Sequence, residues 1–210
     1  MGASKSAQII DERSLISDED IAALMMPIYY VSDSTVAEVD ISNAKLCWKI
    51  IANGSSPVYK AYKDSTGPPA LESLQWFSQL FYQRLFDVNP SARPLFKNSI
   101  EVQGRVLIAI ISTALSQLKD PVGFNGTLVN LAHVHVTRGV RATQFGLMGD
   151  ILFWTLRTTL GEIFTDEYRL SWVRIYSRML KIILPTMIGD ERRALATGKD
   201  STTHDKPPNK

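Results

Sequence analysis

Three histidines occur in the 210 residues, and two of them, His133 and His135, stand in the segment Leu-Ala-His-Val-His-Val-Thr-Arg-Gly-Val at positions 131–140. An imidazole ligates metals or moves a proton near neutral pH. On a helix, residues two apart point roughly 200° away from each other, so at most one of this pair serves any one site. The third, His204, lies in a polar tail. The single cysteine, Cys47, rules out an internal disulfide and any CxxC or Cys/His zinc spacing, and it fits a reducing compartment. There is no internal repeat and no glycine-rich phosphate loop. Taken alone, His135 reads more readily as a core or surface histidine than as a ligand.

The elements that must position these residues read as helices. Ile41, Ala44, Trp48 and Ile51 fall at steps of three, four and three, with Asp40 or Ser42 as a cap. Residues 53–70, rich in glycine, proline and serine, read as an exposed insertion without a regular element. Leu74, Phe77, Leu80, Phe81, Leu85 and Phe86 form a wide apolar stripe that stops at Asn89-Pro90. Pro90 to Phe96 has room for one turn, and Val102 to Leu118 reads as a buried helix. Leu128 to Val136 is a shorter piece that Gly139 ends, after Pro121, Gly123 and Gly126. Gln144 to Leu160 and Asp166 to Leu184 are two long helices, closed by Gly161 and Pro185. Residues 18–30 suggest a short helix interrupted by Pro27, and no stretch alternates with period two. The fold class is therefore all-α: an extension over 1–39, a domain over 40–188, and a disordered polar tail over 189–210.

Composition narrows the function. With 23 basic and 21 acidic residues and a net charge of +2, the chain has no broad basic surface, which argues against nucleic acid as a partner. The longest apolar runs, Val106 to Ile111 and Ile182 to Pro185, fall far short of the roughly 20 residues that span a bilayer. The acids in the first thirty residues speak against a cleaved secretory signal, so a cytoplasmic location is expected.

A short helix ending in Leu-Ala-x-x-His before Gly-Val resembles the proximal haem segment of the globin superfamily. Other landmarks keep the same order. Leu85-Phe86-x-x-x-Pro90-x-x-x-Pro94-Leu95-Phe96 is similar to the end of the globin B helix and the C turn. Gly149-Asp150-Ile151-Leu152, Leu160-Gly161-x-x-Phe164-Thr165-x-Glu167, Trp172 and Tyr176 resemble the paired G and H helices, and Trp48 the tryptophan common in the A helix. The resemblance covers about residues 40–188. It implies a three-over-three helical sandwich with an N-terminal extension and an enlarged A-to-B connection, around one haem b (iron protoporphyrin IX).

Carried over by position, the resemblance makes His135 the iron ligand and leaves His133 on the outer side of its helix. Phe96, Leu107, Leu131, Val140 and Phe145 match haem-contacting positions, although apolar residues would be buried in any helical protein. Tyr82, fourteen residues before Phe96, and Gln103, seven after it, match the distal positions facing bound ligand. An ordinary amphipathic tyrosine and a solvated glutamine are their plain alternatives. Arg138 and Arg141 suit haem propionates or solvent. The short interval from Phe96 to Gln103 and the Tyr/Gln pair resemble single-domain bacterial and protist globins.

This pocket implies a defined chemistry. One neutral imidazole leaves the opposite face of ferrous iron open, and its second nitrogen is expected to donate to the Leu131 carbonyl one turn earlier. Dioxygen held there gains partial negative charge on its outer atom, so the Tyr82 hydroxyl and Gln103 amide favour it over carbon monoxide. A glutamine amide is a poor iron ligand, which implies a five-coordinate ferrous form. Flavohaemoglobins share the Tyr/Gln pair but surround the proximal histidine with a tyrosine and a glutamate; here the matching positions give Phe145 and a stretch, Trp172 to Ile183, without an acid.

Three function classes follow: a high-affinity oxygen carrier, store or sensor; a nitric oxide dioxygenase or related redox enzyme served by an external reductase; and a haem-free interaction module. Separately, Met1-Gly2-Ala3-Ser4-Lys5-Ser6 fits the N-myristoylation pattern, with an unmodified tail as the alternative. One acyl chain on Gly2 would attach the protein to a membrane only weakly.

Overall fold

The structure, a computed structural model, describes residues 16–198. Among these residues there are eight α-helices and no strand: α1 (Asp18–Leu24), α2 (Glu38–Ala52), α3 (Pro57–Thr66), α4 (Ser73–Val88), α5 (Ile100–Ser116), α6 (Pro121–Thr137), α7 (Phe145–Leu160) and α8 (Asp166–Ala196). A 3-10 stretch, Pro90–Leu95, joins α4 to the loop before α5. Helix α8 lies against α1, α2 and α6, while α4 crosses α5 and α7. The main helices make the all-α three-over-three sandwich, α2, α5 and α6 over α4, α7 and α8. Its centre is filled by fully buried side chains such as Phe77, Phe124, Leu128, Leu156 and Leu180. Each stabilises the fold by about 1.5–3 kcal/mol relative to exposure.

Several boundaries differ from the sequence reading, and the reasons are local. Residues 53–70 are not an irregular exposed insertion, because they contain α3. Ser56 caps it by accepting from the Tyr59 amide, Pro57 occupies the first helical position, and Gly67 ends it. Tyr59 is buried, and the Ser56 hydroxyl donates to the Thr159 carbonyl of α7. Helix α6 likewise starts at Pro121, where Asp120 accepts from the Gly123 amide, so Gly123 and Gly126 are helical. Neither Asp40 nor Ser42 is the first residue of a cap: α2 starts after Ala37, whose amide donates to the Asp40 carboxylate.

Pro185 does not close the last helix. Ile183, Leu184, Met187 and Ile188 are buried on both sides of it, and that apolar stripe carries α8 on to Ala196. The Thr186 hydroxyl donates to the Ile182 carbonyl beside the missing N–H. Residues 189–196 are therefore helical rather than part of a disordered tail. At the other end, α1 stops at Leu24, before Pro27. Gly2 and His204 lie outside the described residues. No helix among the described residues is long and apolar enough to cross a membrane.

Candidate functional site

Helix α6 ends two residues after His135, because Gly139 takes φ of 82° and lets the chain reverse. The Gly139 amide donates to the Val136 carbonyl and the Val140 amide to the His135 carbonyl, at 2.9 and 3.0 Å. The imidazole thus hangs from the last turn of a rigid element. Its Nδ1 lies 2.7 Å from the Leu131 carbonyl, which fixes the tautomer with Nδ1–H and leaves Nε2 as a lone-pair donor. Burial lowers the His135 pKa, the Leu131 carbonyl opposes the shift, and Arg138 adds to it. The ring is accordingly neutral at pH 7.

His135 lines a cavity of about 260 Å³. All eight residues expected at the site, Tyr82, Phe96, Gln103, Leu107, Leu131, His135, Val140 and Phe145, are in its walls. Arg138 is also there; Arg141, the exposed His133 and the buried Cys47 are not. His133 instead pairs with Asp190 of α8. Phe145 sets the edge of the imidazole, with ring centroids 5.3 Å apart and planes at 70°. Tyr82 and Phe96 meet at 5.4 Å, and Phe86 supports Phe96 from behind at 5.4 Å. Burial pushes the Tyr82 phenol up to about 12, so it is a hydroxyl donor at neutral pH. That hydroxyl donates to the Gln103 backbone carbonyl at 3.3 Å, a long bond for O–H···O.

The sequence reading missed other parts of the wall, including Ile111, Met148, Leu152, Tyr176 and Met179. Helical spacing carries most of that signal. Ile111 repeats the four-residue step from Gln103 and Leu107, and Met148 and Leu152 follow Phe145 at three and seven. A second cleft lies between α2, α3 and the start of α4, but its lining of Asn53, Lys60, Lys63, Asp64 and Glu72 is polar and has no histidine.

The donor set of the apolar cavity fits one kind of group. Among the described residues no three histidines, cysteines or carboxylates cluster to hold a bare metal ion. A lone imidazole with a free Nε2, set between Phe96, Leu107 and Phe145, suits a metal that arrives within its own flat apolar ligand. No carboxylate lines the cavity, and the second nitrogen of His135 meets a neutral carbonyl, which raises the basicity of the imidazole less than a carboxylate would.

Comparison with known proteins points the same way. The chain is 30% identical over 144 residues to a flavohemoprotein of Bordetella pertussis, covering 67% of this chain and 35% of that protein. It therefore spans about a third of the length of this relative. It is 28% identical over 113 residues to neuroglobin of Danio rerio, covering 47% of this chain and 70% of that one. A bacterial globin from Campylobacter jejuni superposes with a TM-score of 0.55 at 17% identity, covering 74% of this chain and 99% of the other. The globin family model matches residues 79–183, from the middle of α4 through most of α8, the stretch that carries every expected site residue. With this match over half its length, and with the helical sandwich and the single-histidine cavity, the chain belongs to the globin family.

Proposed function

We propose that this globin holds haem b on His135 and reversibly binds dioxygen and other diatomic gases with high affinity, as a carrier, store or sensor. The observation that supports it is the placement of one neutral imidazole and two hydrogen-bonding side chains, Tyr82 and Gln103, in the walls of one apolar cavity. Haem supplies an iron centre with one face free for a small gas.

The chain's residues do the rest. His135 presents Nε2 because Leu131 occupies Nδ1. Phe96, Leu107 and Phe145 would keep water from the bound group, and Arg138, in the same wall, would offer a cation to its carboxylates. Tyr82 and Gln103 would supply the hydrogen-bond donors for the gas, and each such bond in a dry pocket would contribute about 1–3 kcal/mol. Absorption spectra of the ferric, ferrous and carbonyl-bound protein test this reading. A five-coordinate ferrous spectrum with a Soret band is expected; the absence of any Soret band after reconstitution with haem would refute it.

The likeness to flavohemoproteins supports a second reading, a redox enzyme such as a nitric oxide dioxygenase that takes electrons from a separate reductase. Nitrate formation sustained by a reductase over many turnovers distinguishes it from simple gas binding.

A further inference from the structure

The segment that precedes α2 packs against α7 and α8, outside the stretch that the globin family model covers. It is fastened to α8 at both ends: Arg192 pairs with Asp18 at 2.7 Å, the Val31 amide donates to the Ser177 hydroxyl, and Lys181 donates to the Ser32 carbonyl. Between these anchors its Tyr29 reaches the first turn of α7. The Tyr29 hydroxyl donates to the Gly146 carbonyl at 2.8 Å, and the Tyr176 hydroxyl donates to the adjacent Phe145 carbonyl, also at 2.8 Å. Tyr29, Tyr176 and Phe153 form one ring cluster, with centroids 5.1 to 6.1 Å apart. Tyr176 is itself a wall of the cavity, and Phe145 rests against the imidazole.

We propose that Tyr29 is a positioning residue for His135. Two contacts fix the imidazole: the Leu131 carbonyl on Nδ1 and the Phe145 ring on its edge. The first belongs to α6. The second depends on where the first turn of α7 sits, and Tyr29 holds that turn by the Gly146 carbonyl, while Pro27 packs so close that a Cβ on Gly146 would stand 3.3 Å from it. Removing the Tyr29 hydroxyl lets the turn, and Phe145 with it, relax away from the ring. By reciprocity, whatever His135 binds biases the segment in return. This inference rests on the haem reading above.

The test is Tyr29→Phe in the full chain, which keeps the ring and deletes the hydroxyl. The iron–imidazole stretching band in the resonance Raman spectrum of the ferrous protein is expected to shift or split, and haem to pass to a scavenging acceptor about five-fold faster. A second variant, Gly146→Ala, adds a methyl group 3.3 Å from Pro27, so that the segment must give by a few tenths of an ångström, and removes no hydrogen-bonding group; it is expected to move the band too, and it decides the matter if Tyr29→Phe does not fold. An unchanged band and haem-loss rate in the folded variants would overturn the proposal, even if thermal stability fell. If the parent chain took up no haem, the haem reading would fail by itself. The ¹⁵N resonances of the His135 ring in the haem-free chain would then decide, with no change on Tyr29→Phe counting against the role.

Discussion

The Tyr82 hydroxyl donates to the backbone carbonyl of Gln103 across 3.3 Å, linking α4 to α5 over the cavity on which His135 also opens. A bond of that length is weak, and the hydroxyl can turn to a better acceptor at little cost.

Tyr82→Phe removes one donor while leaving the ring against Phe96. Dioxygen dissociation is expected to quicken about 5- to 150-fold, with a much smaller effect on carbon monoxide, which carries little charge on its outer atom. Stopped-flow displacement of oxygen by carbon monoxide measures both rates. An unchanged oxygen off-rate would remove Tyr82 from the donor role.

Acid should weaken the haem-free fold partly through His135. Burial, the largest cause, holds its pKa below the ordinary value, so the unfolded chain takes up the proton first as pH falls. The stability that depends on the neutral ring is complete above about pH 6.5 and is lost as pH drops from there toward the lowered folded value. Urea midpoints at pH 7.5 and 5.5 should fall further apart in the parent chain than in His135→Gln. Equal separations would show that this imidazole does not contribute.

Cys47 is buried, and burial pushes its thiol up to about 11 against the opposing pull of the Trp172 side chain and its own backbone. Almost no thiolate exists at pH 8. An aromatic disulfide reagent is expected to label the native protein hardly at all and the denatured protein stoichiometrically. Rapid labelling of the folded chain would contradict this packing.

Gly149 lets two rings approach α7. A Cβ there would collide with the Tyr29 hydroxyl and the Tyr176 ring. Gly149→Ala should destabilise the protein by about 1–3 kcal/mol despite alanine's better helix propensity, and denaturant unfolding gives the difference. A neutral or stabilising effect would mean that the N-terminal segment does not hold Tyr29 against the helix.

The sites were more legible in the sequence than the helix ends. Residues such as Phe96, Gln103 and His135 stand at fixed intervals on regular helices, and those intervals survive any error of a few residues at the boundaries. Proline caused most of the errors. Ser56-Pro57 and Asp120-Pro121 look like breaks in the sequence, yet a capping side chain followed by proline starts a helix. Pro185 looks like an end, yet the buried stripe from Ile183 to Ile188 outweighs one lost hydrogen bond. Tyr29 gave no signal at all, because its partner Gly146 is 117 residues away and no local pattern brings the two together.

Substituting His135 by alanine tests the account most directly, with the absorption spectrum of the reconstituted protein as the readout. The account predicts that haem is lost or loosely held, and that added imidazole, entering the space left in the cavity, restores the five-coordinate ferrous spectrum. A His135→Ala protein that keeps its haem with the parent spectrum would contradict it.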